Sequence, residues 1–351
     1  MLKNKKLIIL SARDIAGAYS VLKFNELLKE NYEILIITQN PAYNFLKTKL
    51  KINLYKNKNY NLFNFLKQKM PYAVIGSLSS KNYGIDEILV KYAKALKIKS
   101  FIYQDYPGDF NFKLKCHPDY YLVTDSYSKK LTYKLTKTKC IIIGYLNLKK
   151  INFKLKHQNT FKNYKKKIIF LGQPIYPLKN YFNTLKTFVE SLHYLKNNYF
   201  FFYRPHPNEK NNFKKIKLLF LKKGIKIKKI NSKNIHDDLL NQDLLVSCFS
   251  SAIVDNSYLK YSYGKNKLSS IYLIYDKKIL SMLKDNIYGG KLVYEKIGFT
   301  KVARTSKNLI KYLKFFDKNN YLTEFDRKLF SRNDVLLRKF KKQLKIICNI
   351  N

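Results

Sequence analysis

The chain of 351 residues is long enough for two ordinary domains, and a hydrophobic content of 46% can build a sizeable core. Its 69 Lys plus Arg against 23 Asp plus Glu give a formal charge of +46. The lysines are spread along the whole length rather than gathered in a stripe or tail, so a dedicated nucleic-acid binder is not the expectation. Cys116, Cys140, Cys248 and Cys348 form no CxxC or Cys/His cluster, which argues against a disulfide framework or a zinc site.

The first half alternates strands and helices. "KLIIL" (6–10) is a continuous apolar run, as expected of a strand covered on both faces. A polar loop with Asp14 and Gly17 follows, then "YSVLKFNELLKE" with apolar residues at helical spacing, then the strand "YEILIIT" (32–38). Together they read as a right-handed βαβ unit. Further strands are predicted at 72–76, 99–104, 120–124 and 139–144, with helices over 85–95 and 126–135. The segment 151–166 is lysine-rich without a sustained period and reads as a linker.

A second alternating series begins at "KIIFLG" (167–172). It continues with a helix near 181–196, the strand "YFFFYR" (199–204), a helix near 210–223 and the strand 225–230. A short helix near 234–241, "DLLVS" (243–247), a helix from about 251 and "SSIYLIY" (269–275) complete it, and the tail is helical. The expected layout is an α/β domain over 1–150, the linker 151–166, a second α/β domain over 167–330 and a C-terminal helix over 331–351. A cleft between the carboxyl edges of two parallel sheets is the default ligand site. The basic start "MLKNKK" leads into an apolar run that ends before Arg13 and Asp14, too short for a signal peptide, and no apolar run is long enough to span a bilayer. The expectation is a cytoplasmic protein whose charge draws it to anionic surfaces, including peripheral contact with the inner membrane leaflet.

Three loops of the second domain leave one sheet edge if that sheet is parallel. They carry Gly172, Gln173 and Pro174; then Arg204, Pro205, His206 and Pro207; then Ser250, Ser251 and Asp255. Proline removes a backbone donor and biases the preceding residue toward extended backbone, so "RPHP" should end its strand and hold Arg204 and His206 stiffly beyond it. Serines before a helix, free N–H groups and the helix dipole make an anion site. The convergence suggests a phosphate or diphosphate pocket. Each part also has a plain structural use. Either serine can be an N-cap, Arg204 can pair with a carboxylate such as Glu209, and Asp255 can bond within its own helical turn.

A strand ending in "RPHP", followed about forty residues later by "DLLVSCFSSAIVD", resembles the carboxyl half of GT-B glycosyltransferases. It is most similar to bacterial enzymes with HP and SS/ST motifs: sialyltransferases, capsule Kdo transferases and CDP-glycerol glycerophosphotransferases. The resemblance rests on Arg204 to Pro207, Asp243 to Leu245, Ser250, Ser251 and Asp255, and is architectural over 1–150. It implies two Rossmann-like domains whose parallel sheets face a central cleft, an N-terminal acceptor domain and a C-terminal nucleotide-donor domain. It implies a donor linked to CMP, CDP or UDP and a saccharide or lipid-linked acceptor. It assigns the leaving phosphate to His206, as hydrogen-bond donor or general acid, and to Ser250 and Ser251, with no metal or other cofactor. No DxD triplet is present. The acceptor base is expected from Asp14, or from Asp105 or Asp109 in "QDYPGD", which also reads as a tight turn. No Asp/Glu-Asp/Glu-Gly motif of the sialyltransferase kind is seen. The expected function is a metal-independent glycosyltransferase or glycerophosphate-type transferase in surface polysaccharide or glycolipid synthesis. The alternatives are a nucleotide-sugar 2-epimerase of the same fold, a basic nucleic-acid-binding protein, and a non-catalytic homologue.

Overall fold

The computed structural model describes residues 5–50, 54–56, 61–78, 84–108, 116–146, 165–173, 179–195, 199–206, 209, 213–232, 234–262, 267–282, 287–288, 291–318, 323–324 and 333–348. The chain forms two compact units, one of Met1–Asn147 with Lys328–Asn351 and one of Leu148–Arg327. Apart from residues 165–166, the expected linker lies outside the described residues, as do Asp109, Pro174 and Pro207.

The first unit is a seven-stranded parallel sheet. Its strands are β1 (Leu7–Ala12), β2 (Glu33–Thr38), β3 (Leu54–Lys56), β4 (Ala73–Ser77), β5 (Lys99–Tyr103), β6 (Tyr120–Val123) and β7 (Lys139–Ile142), in the order β3-β2-β1-β4-β5-β6-β7. The helices are α1 (Ile15–Leu28), α2 (Ala42–Leu46), α3 (Leu62–Lys69), α4 (Ile85–Ala95) and α5 (Ser126–Thr136). Alternate residues of a strand face opposite layers, and β1 shows why its whole run is apolar. Ile8, Leu10 and Ala12 pack with Val21, Phe24 and Leu28 of α1, while Ile9 packs on the other face with Leu66 of α3 and Ile85, Leu89 and Ala93 of α4. The C-terminal helix Asn333–Ile347 belongs to this unit, where Phe340 and Leu344 are fully buried against the α1 side.

The second unit holds a six-stranded parallel sheet. In chain order its strands are β8 (Lys166–Leu171), β9 (Tyr199–Arg204), β10 (Ile227–Lys229), β11 (Leu244–Ser247), β13 (Ser270–Leu273) and β16 (Lys301–Ala303), arranged β10-β9-β8-β11-β13-β16. Two short antiparallel pairs lie apart from it: β12 (Lys267–Leu268) with β17 (Thr323–Glu324), and β14 (Ile287–Tyr288) with β15 (Lys291–Leu292). The helices are α6 (Lys179–Ser191), α7 (Phe213–Leu221), α8 (Ile235–Leu240), α9 (Ala252–Ser262), α10 (Lys277–Met282), α11 (Val293–Lys296) and α12 (Ser306–Asp317). An aromatic core fixes the β8–β9 pair. Phe170 stacks on Tyr203 with ring centroids 6.1 Å apart and meets Phe188 of α6 at 5.4 Å. Each sheet reverses its strand order beside its first strand, between β1 and β4 in one unit and between β8 and β11 in the other. Open α/β sheets bind ligands outside the carboxyl ends of the strands at such a reversal.

Candidate functional site

The three loops singled out in the sequence leave the carboxyl edge of the second sheet side by side. In register, Leu171 of β8 pairs with Arg204 of β9 on one side and with Ser247 of β11 on the other. Gly172, Pro205 and Cys248 therefore follow one transverse row, and the strand-order reversal falls between β8 and β11.

A continuous hydrogen-bonded network ties these loops together. The buried Gln173 amide donates from Nε2 to the Gly172 carbonyl at 2.8 Å and to Ser247 Oγ at 3.2 Å, crossing the reversal. Ser247 Oγ also accepts from the Ser250 backbone N–H at 3.1 Å. Ser250 Oγ accepts from Ala252 N at 3.3 Å, its carbonyl accepts from Tyr272 Oη at 2.7 Å, and Ser251 is exposed at the start of α9. Ser250 Oγ thus holds the first amide of α9 from one position ahead of the N-cap, and Ser250 is locked from three sides.

The other arm of the network reaches His206. Gln173 N donates to Tyr181 Oη at 3.2 Å, and a hydrogen bond joins the Tyr181 and Tyr203 hydroxyls. Tyr203 Oη donates to Glu209 Oε1 at 2.5 Å, and Glu209 Oε2 accepts from the His206 backbone N–H at 3.1 Å. Glu209 N returns a bond to the His206 carbonyl at 2.9 Å, so the two residues are joined in both directions. Burial pushes the Tyr203 hydroxyl far above its ordinary value, with Tyr181 and Glu209 adding to the shift, so it remains a donor. Burial also raises the Glu209 carboxyl and lowers the His206 imidazole. His206 is therefore neutral at pH 7 before any ligand arrives, and an anion beside it would shift it back upward.

Gly172 is explained by close approach. A Cβ there would lie 2.2 Å from Glu209 Oε2 and 2.6 Å from Tyr203 Oη. The missing side chain lets Glu209 close against the strand end and hold the His206 loop.

Arg204 has a different neighbour from the one considered above. Its Nη1 is ion-paired with Asp238 of α8 rather than Glu209, and it also donates to Ser232 Oγ at 3.3 Å and, through Nη2, to the Ser232 carbonyl at 3.2 Å. The guanidinium thus fastens the end of β9 to α8. Asp255 likewise reaches beyond its own turn. Its Oδ1 lies 3.5 Å from Nε2 of the buried His236 of α8. Helix α8 is thus tied to β9 through Arg204 and to α9 through Asp255. Asp243 lies at the opposite edge, where its Oδ2 accepts from Lys167 N at 2.8 Å and its N donates to the Lys167 carbonyl at 2.9 Å. It pins the starts of β8 and β11 together.

The candidate bases lie in the first unit. Asp14 is the N-cap of α1 and accepts from Gly17 N at 2.8 Å. It stands at that sheet's own reversal, beside a carboxyl that the sequence did not single out. Asp86 is fully buried between β1 and β4, accepting from Ser11 Oγ at 2.5 Å and Ser77 N at 3.2 Å. Burial pushes its pKa up to about 8, with Glu87 and Asp14 contributing, so it is protonated at pH 7. Asp105 follows β5 in a bend leading into the Pro107–Gly108 turn, where Gly108 has φ 71°. Among the described residues no group of three or more His, Cys, Asp or Glu could hold a metal ion, and no helix is long and apolar enough to cross a membrane.

Two α/β units with parallel sheets are the architecture of the GT-B fold, and solved structures of that fold match over nearly the whole chain. A Staphylococcus aureus MnaA–UDP co-structure superposes with a TM-score of 0.66 at 10% identity, covering 99% of this chain and 98% of that one. A Methanocaldococcus jannaschii UDP-GlcNAc 2-epimerase, in complex with UDP-GlcNAc and UDP, gives 0.63 at 15% identity over 96% and 99%. Acinetobacter baumannii MurG gives 0.60 at 10% identity over 97% and 99%. At such identities the likeness concerns the fold. No curated protein sequence matches the chain. Residues 116–341 match the family model described as CDP-Glycerol:Poly(glycerophosphate) glycerophosphotransferase. The chain belongs to that family of transferases, one of the three groups that its motifs resemble.

Proposed function

We propose that the protein transfers a glycerophosphate-type group from a cytidine-nucleotide donor, such as CDP-glycerol, to an acceptor hydroxyl, releasing CMP. In this reaction the acceptor oxygen attacks the distal phosphorus of the donor. The bond from that phosphorus to the bridging oxygen breaks, and its electron pair leaves on CMP. The acceptor proton passes to a base. Negative charge builds on the departing phosphate, so donors held ready at its position lower the barrier. The observation that carries this reading is the hydrogen-bonded row that holds His206, Gln173, Ser250 and the start of α9 at one strand-order reversal.

In this assignment the neutral His206 imidazole donates a ring N–H hydrogen bond to the departing phosphate and stabilises the charge that grows there. The start of α9 and the Ser250 and Ser251 hydroxyls supply the rest of the neutralisation, so the reading has transfer proceed without a divalent metal. Gly172 and Gln173 shape the pocket floor. Arg204 and Asp255 hold the surrounding elements rather than the phosphate. The base is drawn from Asp14 and Asp105, both on the first unit's carboxyl edge. A polyol, saccharide or lipid-linked acceptor in surface-polymer synthesis fits this chemistry, and the positive charge of the chain suits an anionic inner leaflet.

Product analysis tests the reading against its rival. Incubation with CDP-glycerol and a glycerophosphate-primed acceptor should release CMP only when the acceptor is present. Conversion of UDP-GlcNAc to its 2-epimer without any acceptor would establish the epimerase instead.

A further inference from the structure

At the opposite edge of the first unit's sheet, the starts of β5, β6 and β7 and the ends of α4 and α5 border an open cavity of about 480 Å³. Lys94, Lys99, Lys137, Lys139, His117 and Asp119 are among its lining residues. It lies at the amino ends of the strands, whereas the reversal between β1 and β4 lies at the carboxyl ends, so it is not part of the site described above.

The plain reading is that these lysines neutralise two helix ends. Lys94 is in the last turn of α4 and Lys137 is the left-handed C-cap of α5. The charges decide against that as a full account. Each helix end carries roughly half a negative charge, so the two together amount to about one. Asp119 supplies one more, and its Oδ2 is already engaged by Ser100 N at 2.8 Å and Ser100 Oγ at 2.9 Å. Four ammonium groups therefore exceed the local negative charge by about two.

We propose that this cavity binds a phosphomonoester dianion, with room beside the phosphate for a small polyol or headgroup. The group matches the excess charge, and ammonium groups recognise phosphate as point charges. His117 reports occupancy. Its Nδ1 lies 3.0 Å from Tyr121 Oη, and burial together with the charge of Lys94 lowers its pKa. The other charged groups around it are Lys99, Asp119, Lys137 and Lys139. A bound dianion would offset the lysine field and raise the imidazole again.

The test uses the full chain. Glycerol 3-phosphate is titrated calorimetrically in one arm, and vesicles of phosphatidic acid in phosphatidylcholine are sedimented with the protein in the other, which separates a soluble ligand from a lipid headgroup. A triple variant Lys94→Gln/Lys137→Gln/Lys139→Gln is compared with Lys214→Gln/Lys215→Gln/Lys217→Gln on α7. All six side chains are exposed, so both variants should fold, and both remove the same charge. At about fivefold per lysine near an anionic group, the cavity variant is expected to lose roughly 100-fold in affinity. The α7 variant should change less than about threefold, and ligand should raise the His117 pKa seen by NMR in the wild type and the α7 variant but not in the cavity variant. Absence of binding at low salt in both arms, or equal losses in the two variants, would overturn the proposal. CMP binding is unaffected by the cavity variant if the two sites are separate, so this test does not depend on the transferase reading.

Discussion

Replacing Asp86 by asparagine should stabilise the first unit, and by more as the pH rises. The folded protein keeps a proton on Asp86 up to about pH 8, whereas the unfolded chain releases it near 3.8. The unfolded state therefore binds fewer protons across that window, and stability falls with rising pH. The penalty is absent below about pH 4, grows through neutral pH and is complete above about 8. At roughly 1.4 kcal/mol per pH unit, it amounts to about 4 kcal/mol at pH 7. Asparagine has the shape of the neutral acid. Its Oδ1 can accept from Ser11 Oγ and Ser77 N as the carboxyl does. Its amide stands where Oδ2 lies buried with no hydrogen-bond partner among the described residues, so neither form gains a bond there. Calorimetric unfolding of both proteins at pH 5, 6, 7 and 8 reads the difference directly, and charges elsewhere cancel in the comparison. The gap in stability should widen by about 3 kcal/mol between pH 5 and pH 7, seen as roughly 6–12 °C in Tm. A gap that stays constant with pH, or a variant less stable throughout, would refute the assignment of a buried neutral acid.

Two further substitutions probe the second unit. Gly172→Ala forces Glu209 Oε2 and Tyr203 Oη away from the strand end, so CMP affinity measured by calorimetry should fall about tenfold, with an overpacking cost of about 1–3 kcal/mol in urea unfolding. Asp238→Asn leaves the Arg204 guanidinium without its carboxylate. The side chains keep 14% and 12% of their exposure, so the loss should be about 2 kcal/mol, below the range for a fully buried pair. The double variant with Arg204→Met should recover much of it.

The strand skeleton was legible because strands covered on both faces must be apolar throughout. The runs at 6–10, 32–38 and 199–204 correspond to β1, β2 and β9, and Pro205 ends β9 where a missing backbone donor must end it. Parallel pairing then brings the "RPHP" and "SS" loops to the same edge, as the Leu171 register shows. Short elements in lysine- and asparagine-rich sequence, such as β3 and α3, give too weak a period to read. Side-chain partners were less legible still. An arginine at a strand end declares a charge but not which carboxylate meets it, and Asp238 lies 34 residues away. Glu209, three residues after His206, could have been read as bonding back to it. Asp86 resembles an ordinary acid in the first turn of a helix. Its burial follows from the close meeting of β1 and β4, where a Cβ on Gly76 would lie 2.8 Å from Asp86 Oδ1. The C-terminal helix was expected from the sequence, but not that it packs on the first unit.

Under the proposed function, His206 and the α9 start grip the phosphate of a cytidine nucleotide. Thermal-shift titrations with CMP, CDP, UMP, UDP and GDP on the wild type and on His206→Ala test it most directly. A cytidine nucleotide at 100 times its Kd should stabilise the wild type by about 2.7 kcal/mol. Loss of a hydrogen bond to a charged group, worth about 1.5–3 kcal/mol, should weaken binding tenfold or more in the variant. Equal shifts in the two proteins, or no nucleotide response in the wild type, would contradict it.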